Sequence, residues 1–200
     1  MTEENSKNFN LKAIVTELKE SPLFNLSLGS KELFHSNFLY WIGNIDDYKD
    51  EFGNIFKDYL KNKLVETKLK NIEREENHID LTLYYRGEQK ILIENKVKSM
   101  AYKYQLEDYS NKYPGHSYIL LSLSKPSFDI PDNWHFVDYS FLKKKLENLV
   151  NTIKNEYHKK ITEDYIRLID NLVKIDELTN VVEDDKFNFH SKDSDENYKD

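Results

Sequence analysis

Cysteine is absent from the 200 residues. That excludes a disulfide framework and a thiolate zinc site, so any metal must be held by oxygen or imidazole. No apolar run approaches the roughly 20 residues that a membrane helix needs. The opening MTEENSKNFN lacks the apolar stretch of a signal peptide. Both absences point to a cytoplasmic protein with no membrane partner. A basic excess is missing as well. The formal net charge is −7, whereas a nucleic-acid partner favours a basic surface. The charge is uneven, however. The tail from Glu183 onward (EDDKFNFHSKDSDENYKD) carries much of the acidity, while lysines gather at Lys57, Lys61, Lys63, Lys68 and Lys70 and again at Lys143, Lys144 and Lys145. A carboxylate metal site also lowers the bare count, because its cation is not included. The overall balance therefore excludes little.

What is present is a core. Hydrophobic residues make up 38% and aromatic residues 14% of the chain, enough for one ordinary domain and against disorder over most of the length. No internal repeat is visible. Apolar spacing predicts a helix over 8–20, a break at 21–30 around Pro22 and Gly29, and a helix over 30–43 that Ser30 can cap and Gly43 can stop. A further helix is expected over 47–62. The period then changes to two, which predicts strands over 64–73, 78–85 and 90–97, with Arg86-Gly87-Glu88 as a turn. On 78–85, Ile79, Leu81, Leu83 and Tyr85 share one face and Asp80, Thr82 and Tyr84 the other. The consecutive Ile91-Leu92-Ile93 predicts a central strand buried on both faces. A helix over 101–113, a strand over 117–123, a short strand over 134–138, and helices over 139–152 and 156–178 complete the order. The strand–helix–strand unit from 90 to 123 requires a parallel crossover. The expected fold is a mixed α/β sheet covered by helices, forming one domain over 1–180, with a disordered acidic tail over 181–200.

The chemistry concentrates in Ile93-Glu94-Asn95-Lys96. In a strand, Glu94 and Lys96 point the same way, with Cβ atoms roughly 7 Å apart. An apolar strand that ends in a carboxylate and an ammonium breaks its own pattern, and such breaks are where sites are expected. Asp80 interrupts the preceding strand in the same manner. If the hairpin loop is the three residues 86–88, Asp80 lies directly opposite Glu94; a two-residue turn would shift the pairing by one. Two facing carboxylates repel, and a bound cation reverses that term. Mg²⁺ suits such a pair because it takes few carboxylates and keeps several waters. A lone Glu-x-Lys is equally what an ordinary salt bridge looks like.

Further elements give this one a context. Asp80 in HIDLTL, then ILIENK, then a helix carrying Gln105, Leu106 and Tyr109 (YQLEDYSNKY) resembles the PD-(D/E)XK nuclease superfamily. More narrowly, KELFHSNFLYWI resembles the branch whose upstream helix carries an acidic residue followed by His-Ser, here Glu32, His35 and Ser36. The resemblance runs over about residues 23–123.

The resemblance implies a restriction-endonuclease-like sheet flanked by helices, and a Mg²⁺- or Mn²⁺-dependent nuclease. Asp80 and Glu94 would be metal ligands and the carbonyl of Asn95 a backbone ligand. Lys96 would orient or activate the attacking water. Glu32 would complete the acidic cluster, directly or through water. Gln105 would support the site, with Tyr109 one turn further on. His35, Ser36 and Tyr109 would contact the nucleic acid, with His35 and Ser36 touching a phosphate or else pinning their helix. The nucleic acid is DNA rather than RNA on this reading, and the setting is bacterial genome defence or restriction. A homodimer for cutting two strands and a protein partner for the acidic tail both stay open. So does a catalytically inactive relative that only binds nucleic acid or protein.

Overall fold

A computed structural model describes residues 3–27, 31–60, 68–76, 78–98 and 100–183. Among the described residues, seven helices and five strands alternate in blocks. Helices α1 (Glu3–Glu20), α2 (Pro22–Ser27), α3 (Lys31–Gly43) and α4 (Lys49–Phe56, extended by a 3-10 turn Lys57–Tyr59) come first. Strands β1 (Leu69–Glu76), β2 (Ile79–Tyr85) and β3 (Lys90–Lys96) follow, then α5 (Lys103–Lys112), β4 (Ser117–Ser122), β5 (Trp134–Asp138), α6 (Tyr139–Val150) and α7 (Glu156–Glu183).

The sheet runs in sequence order, β1-β2-β3-β4-β5. The first three strands are antiparallel and the last three parallel. This is the mixed sheet flanked by helices that the sequence predicts, with β3 at its centre. β3 is buried from Ile91 to Asn95, as its unbroken apolar run requires.

Two apolar layers sit on the two faces. On one, Leu81, Leu83, Ile91, Ile93, Ile119 and Leu121 pack beneath α3, α4, α6 and α7. On the other, Leu92, Tyr118, Leu120 and Trp134 pack beneath α5 through Leu106 and Tyr109. Each fully buried aliphatic or aromatic side chain contributes roughly 1.5–3 kcal/mol, so the smaller layer rests on a few residues. Trp134 strengthens it by donating from Nε1 to the Leu106 carbonyl (3.1 Å) and to Ser110 Oγ (2.8 Å).

Close approach explains one glycine. A Cβ at Gly43 would lie 2.3 Å from Ile72 Cδ1 and 2.7 Å from Phe52 Cδ1, so α3 meets β1 and α4 over a bare α-carbon. The next residue, Asn44, pairs its amide with both backbone groups of Ile72, each at 3.0 Å. That covers part of the outer edge of β1, which would otherwise be open to pairing with another chain.

Several expectations shift. Residues 22–27 form a helix rather than a break, because proline at a first helical position gives up an N–H that has no partner there anyway. β1 begins at Leu69 and runs three residues past the expected end, through Arg74, Glu75 and Glu76, as an edge strand. Ile79 packs in the smaller layer with Leu92, not with Leu81 and Leu83. His78, left-handed at φ 70°, precedes it, and the alternation begins at Leu81, where the pairing with β3 begins. The expected cap Ser30, Lys61, Lys63, residues 64–67 and the tail over 184–200 lie outside the described residues.

Candidate active site

The β2–β3 hairpin sets the register. Its loop is Arg86 to Glu88, with Gly87 (φ 74°) and Glu88 (φ 61°) left-handed. Tyr85 N–H donates to the Gln89 carbonyl at 2.9 Å. From there Tyr84 faces Lys90, Leu83 faces Ile91 and Leu81 faces Ile93. The paired register ends there; beyond it Asp80 and Glu94 lie near enough for their charges to interact. The next hydrogen-bonded pair of that ladder would be Ile79 with Asn95. Instead the Asn95 N–H donates to Asp80 Oδ2 at 2.7 Å. A carboxylate thus replaces a carbonyl at the end of the ladder.

Glu94 is only 2% exposed. Lys96 Nζ lies 2.7 Å from its Oε1, and Gln105 Nε2 donates to the same oxygen at 2.8 Å. The other oxygen, Oε2, is buried without a hydrogen-bond partner. Gln105 also donates to the Tyr109 hydroxyl (3.2 Å), which in turn donates to the His78 carbonyl (2.9 Å). The first turns of α5 are thereby locked over the ends of β2 and β3.

Burial dominates the electrostatics. It pushes the Glu94 carboxyl up to about 7, with the neighbouring Asp80 charge adding to the shift and Lys96 and Gln105 opposing it. Asp80 is also raised by burial, against the Asn95 N–H and Lys96. Burial alone would lower Lys96, but Glu94 and Asp80 outweigh it and hold the ammonium charged. Two carboxyls that resist ionisation, with one oxygen unpaired, make a site short of positive charge.

The opposite side of β3 is anchored to the helices. Asn95, fully buried, donates from Nδ2 to the Glu32 carbonyl (3.2 Å) and to Ser36 Oγ (3.1 Å). Its Oδ1 accepts from the Tyr139 hydroxyl at 2.7 Å. Tyr139 hydrogen-bonds Tyr165, whose hydroxyl is 2.8 Å from His35 Nδ1. Glu32 Oε1 accepts the N–H of Lys98 at 2.9 Å.

Asp80, Glu94, Asn95, Lys96, Gln105 and Tyr109 therefore converge, and Glu32 stands at the margin, its charge felt at Asp80. His35 and Ser36 do not reach outward. Each is 1% exposed, so the expectation that they contact a phosphate is corrected: they hold α3 against β3 and α7. Tyr109 is likewise buried, with its hydroxyl committed inward, and offers no face to a nucleic acid. Lys143 is drawn to Asp170 at 2.7 Å and is an ion-pair residue. Tyr139, Tyr165 and the side chain of Asn95 join the support of the site. The sequence signal for Asn95 is a lone amide on the strand face that Ile91 and Ile93 otherwise make apolar.

A family model of the PD-(D/E)XK nuclease superfamily matches residues 23–167. The chain belongs to that superfamily. Neither curated proteins nor solved structures gave a match. The matched region of this PD-(D/E)XK protein runs from α2 into α7 and contains all five strands and every residue of the cluster. Members of the superfamily are generally phosphodiesterase nucleases and typically use divalent metals. Among the described residues no three His, Asp or Glu side chains form a metal-holding group by themselves. The donors nevertheless fit a hard divalent cation. They are oxygens only, one of them a buried carboxylate oxygen without a partner, and an ion that keeps several waters needs few carboxylates. Among the described residues no helix is long and apolar enough to cross a membrane.

Proposed function

We propose that this protein is a Mg²⁺- or Mn²⁺-dependent nuclease that hydrolyses phosphodiester bonds in DNA. The observation that carries the reading is Glu94: a carboxylate buried beside Asp80 and Lys96, with Oε2 unpartnered. Burying an unsatisfied charged oxygen costs stability unless something compensates it, and a cation shared with Asp80 would do so.

Asp80 and Glu94 would hold the ion, with the Asn95 carbonyl as a third donor and Glu32 acting through water. When bound, the ion supplies a polarised water and charge neutralisation at the phosphate. Lys96 serves as a charged donor. Kept protonated by the two carboxylates, it orients the attacking water and stabilises charge developing on the phosphate oxygens, rather than removing a proton. Gln105 fixes the Glu94 rotamer by occupying Oε1, which leaves Oε2 for the ion. Asn95, tied on its other side to α3 and α6, keeps the strand end from twisting away.

The reading is tested by incubating the chain with plasmid and linear DNA in Mg²⁺ or Mn²⁺. Cleavage should be lost in Asp80→Ala, Glu94→Ala and Lys96→Ala. Cleavage that persists in these variants overturns it. A chain that binds DNA, ignores the ion and does not cut is the inactive binding module instead. A bacterial restriction or genome-defence role follows from the family resemblance and would be tested by phage challenge of a host carrying the gene.

A further inference from the structure

Immediately after β3 the chain exposes apolar surface instead of hiding it. Met100 is 63%, Tyr102 58% and Tyr104 70% exposed, three large apolar side chains within five residues. Tyr102 and Tyr104 stack on each other, with ring centroids 5.6 Å apart and 26° between the planes. Three residues beyond Tyr102, Gln105 bonds the buried Glu94, so the pair stands at the rim of the site.

Exposed cations frame the pair. Lys98 and Lys103 alternate with Met100, Tyr102 and Tyr104 along the chain, and both are exposed. A cleft at the carboxyl ends of β3 and β4 is lined by Lys96, Lys98, Met100, Ser122 and Lys125. The exposed acids of α5, Glu107 and Asp108, come after Gln105, and Asp108 is drawn to Lys112 at 3.3 Å. In a chain of net charge −7, this strip brings ammonium groups and bare aromatic faces together beside the site.

We infer that the Met100–Tyr104 strip is a binding surface for unpaired nucleotides, so that this enzyme engages single-stranded DNA beside the scissile phosphate. The inference rests on the nuclease reading above and narrows its substrate. Bases in a duplex are stacked on one another and offer no face to a side chain, whereas a single strand can lay successive bases on aromatic rings. Lys98, Lys103 and Lys125 meet the phosphates, which fix the register of the strand without reading its sequence. Sequence preference at this surface is accordingly weak.

The test is fluorescence anisotropy of the full chain in EDTA, where no hydrolysis intervenes. The probes are a labelled oligothymidylate of about 12 nucleotides and a blunt duplex of the same length. The single strand should bind more tightly. Tyr102→Ala/Tyr104→Ala should weaken it at least about tenfold with thermal unfolding unchanged, and Tyr102→Phe/Tyr104→Phe should retain it. Tyr157→Ala, an exposed tyrosine on α7 across the sheet, should have no effect. Equal affinity for strand and duplex, or an Ala variant that binds as before, overturns the inference. Plasmid cleavage run in parallel separates the two readings. Metal-dependent duplex cutting without aromatic-dependent strand binding removes this surface and keeps the nuclease. Aromatic-dependent strand binding without cleavage keeps the surface and removes the nuclease.

Discussion

Gln105 Nε2 lies 2.8 Å from Glu94 Oε1, so one oxygen of the central carboxylate is held by a helix while the other stays open. Groups that orient a metal ligand in this way typically contribute ten- to a hundredfold, roughly, in metal affinity. Gln105→Leu should therefore weaken Mn²⁺ binding about tenfold or more by calorimetry, with the fold intact. Tyr109→Phe, which removes the bonds to the His78 carbonyl and to Gln105 but leaves Gln105 on Glu94, should have a smaller effect. Unchanged Mn²⁺ affinity in Gln105→Leu would count against the orienting role.

The raised Glu94 carboxyl gives a pH signature. Burial and Asp80 lift it from its ordinary 4.5 to about 7. In that window the folded state holds the proton more tightly than the unfolded chain, so stability falls as pH rises. The penalty is complete above about pH 7 and absent below about 4.5. Without divalent ions, Glu94→Gln should be more stable than the wild type at about pH 8, by up to about 3 kcal/mol. Urea unfolding should show the gap closing as pH falls. Added Mg²⁺ should stabilise the wild type at pH about 8 and leave the variant unmoved. A gap independent of pH would show that Glu94 is not the strained group.

Asn95 depends on buried donors. Tyr139→Phe deletes the hydroxyl that serves Oδ1 and leaves a buried acceptor unsatisfied, at a cost of about 1–3 kcal/mol. Cleavage should fall too, because the displaced strand end carries the Asp80 contact. Lys68→Ala removes an exposed ion pair of 3.9 Å to Asp50 and should change stability by less than about 1 kcal/mol. Chemical denaturation of both variants makes the comparison, and a neutral Tyr139→Phe would show the network to be dispensable.

Gly43 offers a packing test. Gly43→Ala drives a methyl into Ile72 Cδ1 and the Phe52 ring, and overpacking of this kind costs about 1–3 kcal/mol. The clash with Ile72 is at the end of a flexible side chain. Ile72→Val should therefore recover part of the loss in the double variant, a coupling that a double-mutant cycle in urea measures. Additive losses would place the strain elsewhere.

The hairpin was legible because local chemistry decides it. A three-residue loop with glycine at its centre fixes which strand residues oppose as far as Leu81 and Ile93, and Asp80 meets the Asn95 N–H just past that point. The helix–strand order was readable from its periods except at α2, where Pro22 reads as a break and instead starts a helix. The reach of β1 was not. Arg74, Glu75 and Glu76 look like a solvated run, and an edge strand open to water on one side shows the same composition. The inward role of His35 and Ser36 was hidden because their partners, Tyr165 and Asn95, are far away in sequence. Only the packing of α7 and β3 against α3 brings them together.

The loop Arg86–Gly87–Glu88 sits at the far end of the hairpin from Asp80, yet its length acts as a ruler for the whole catalytic spacing. Adding one residue would rotate every β2 side chain to the other face relative to β3, sending Asp80 towards α3 and uncoupling the two carboxylates without touching either. The Arg86 side chain is thus open to change, whereas the residue count and the left-handed Gly87 are not.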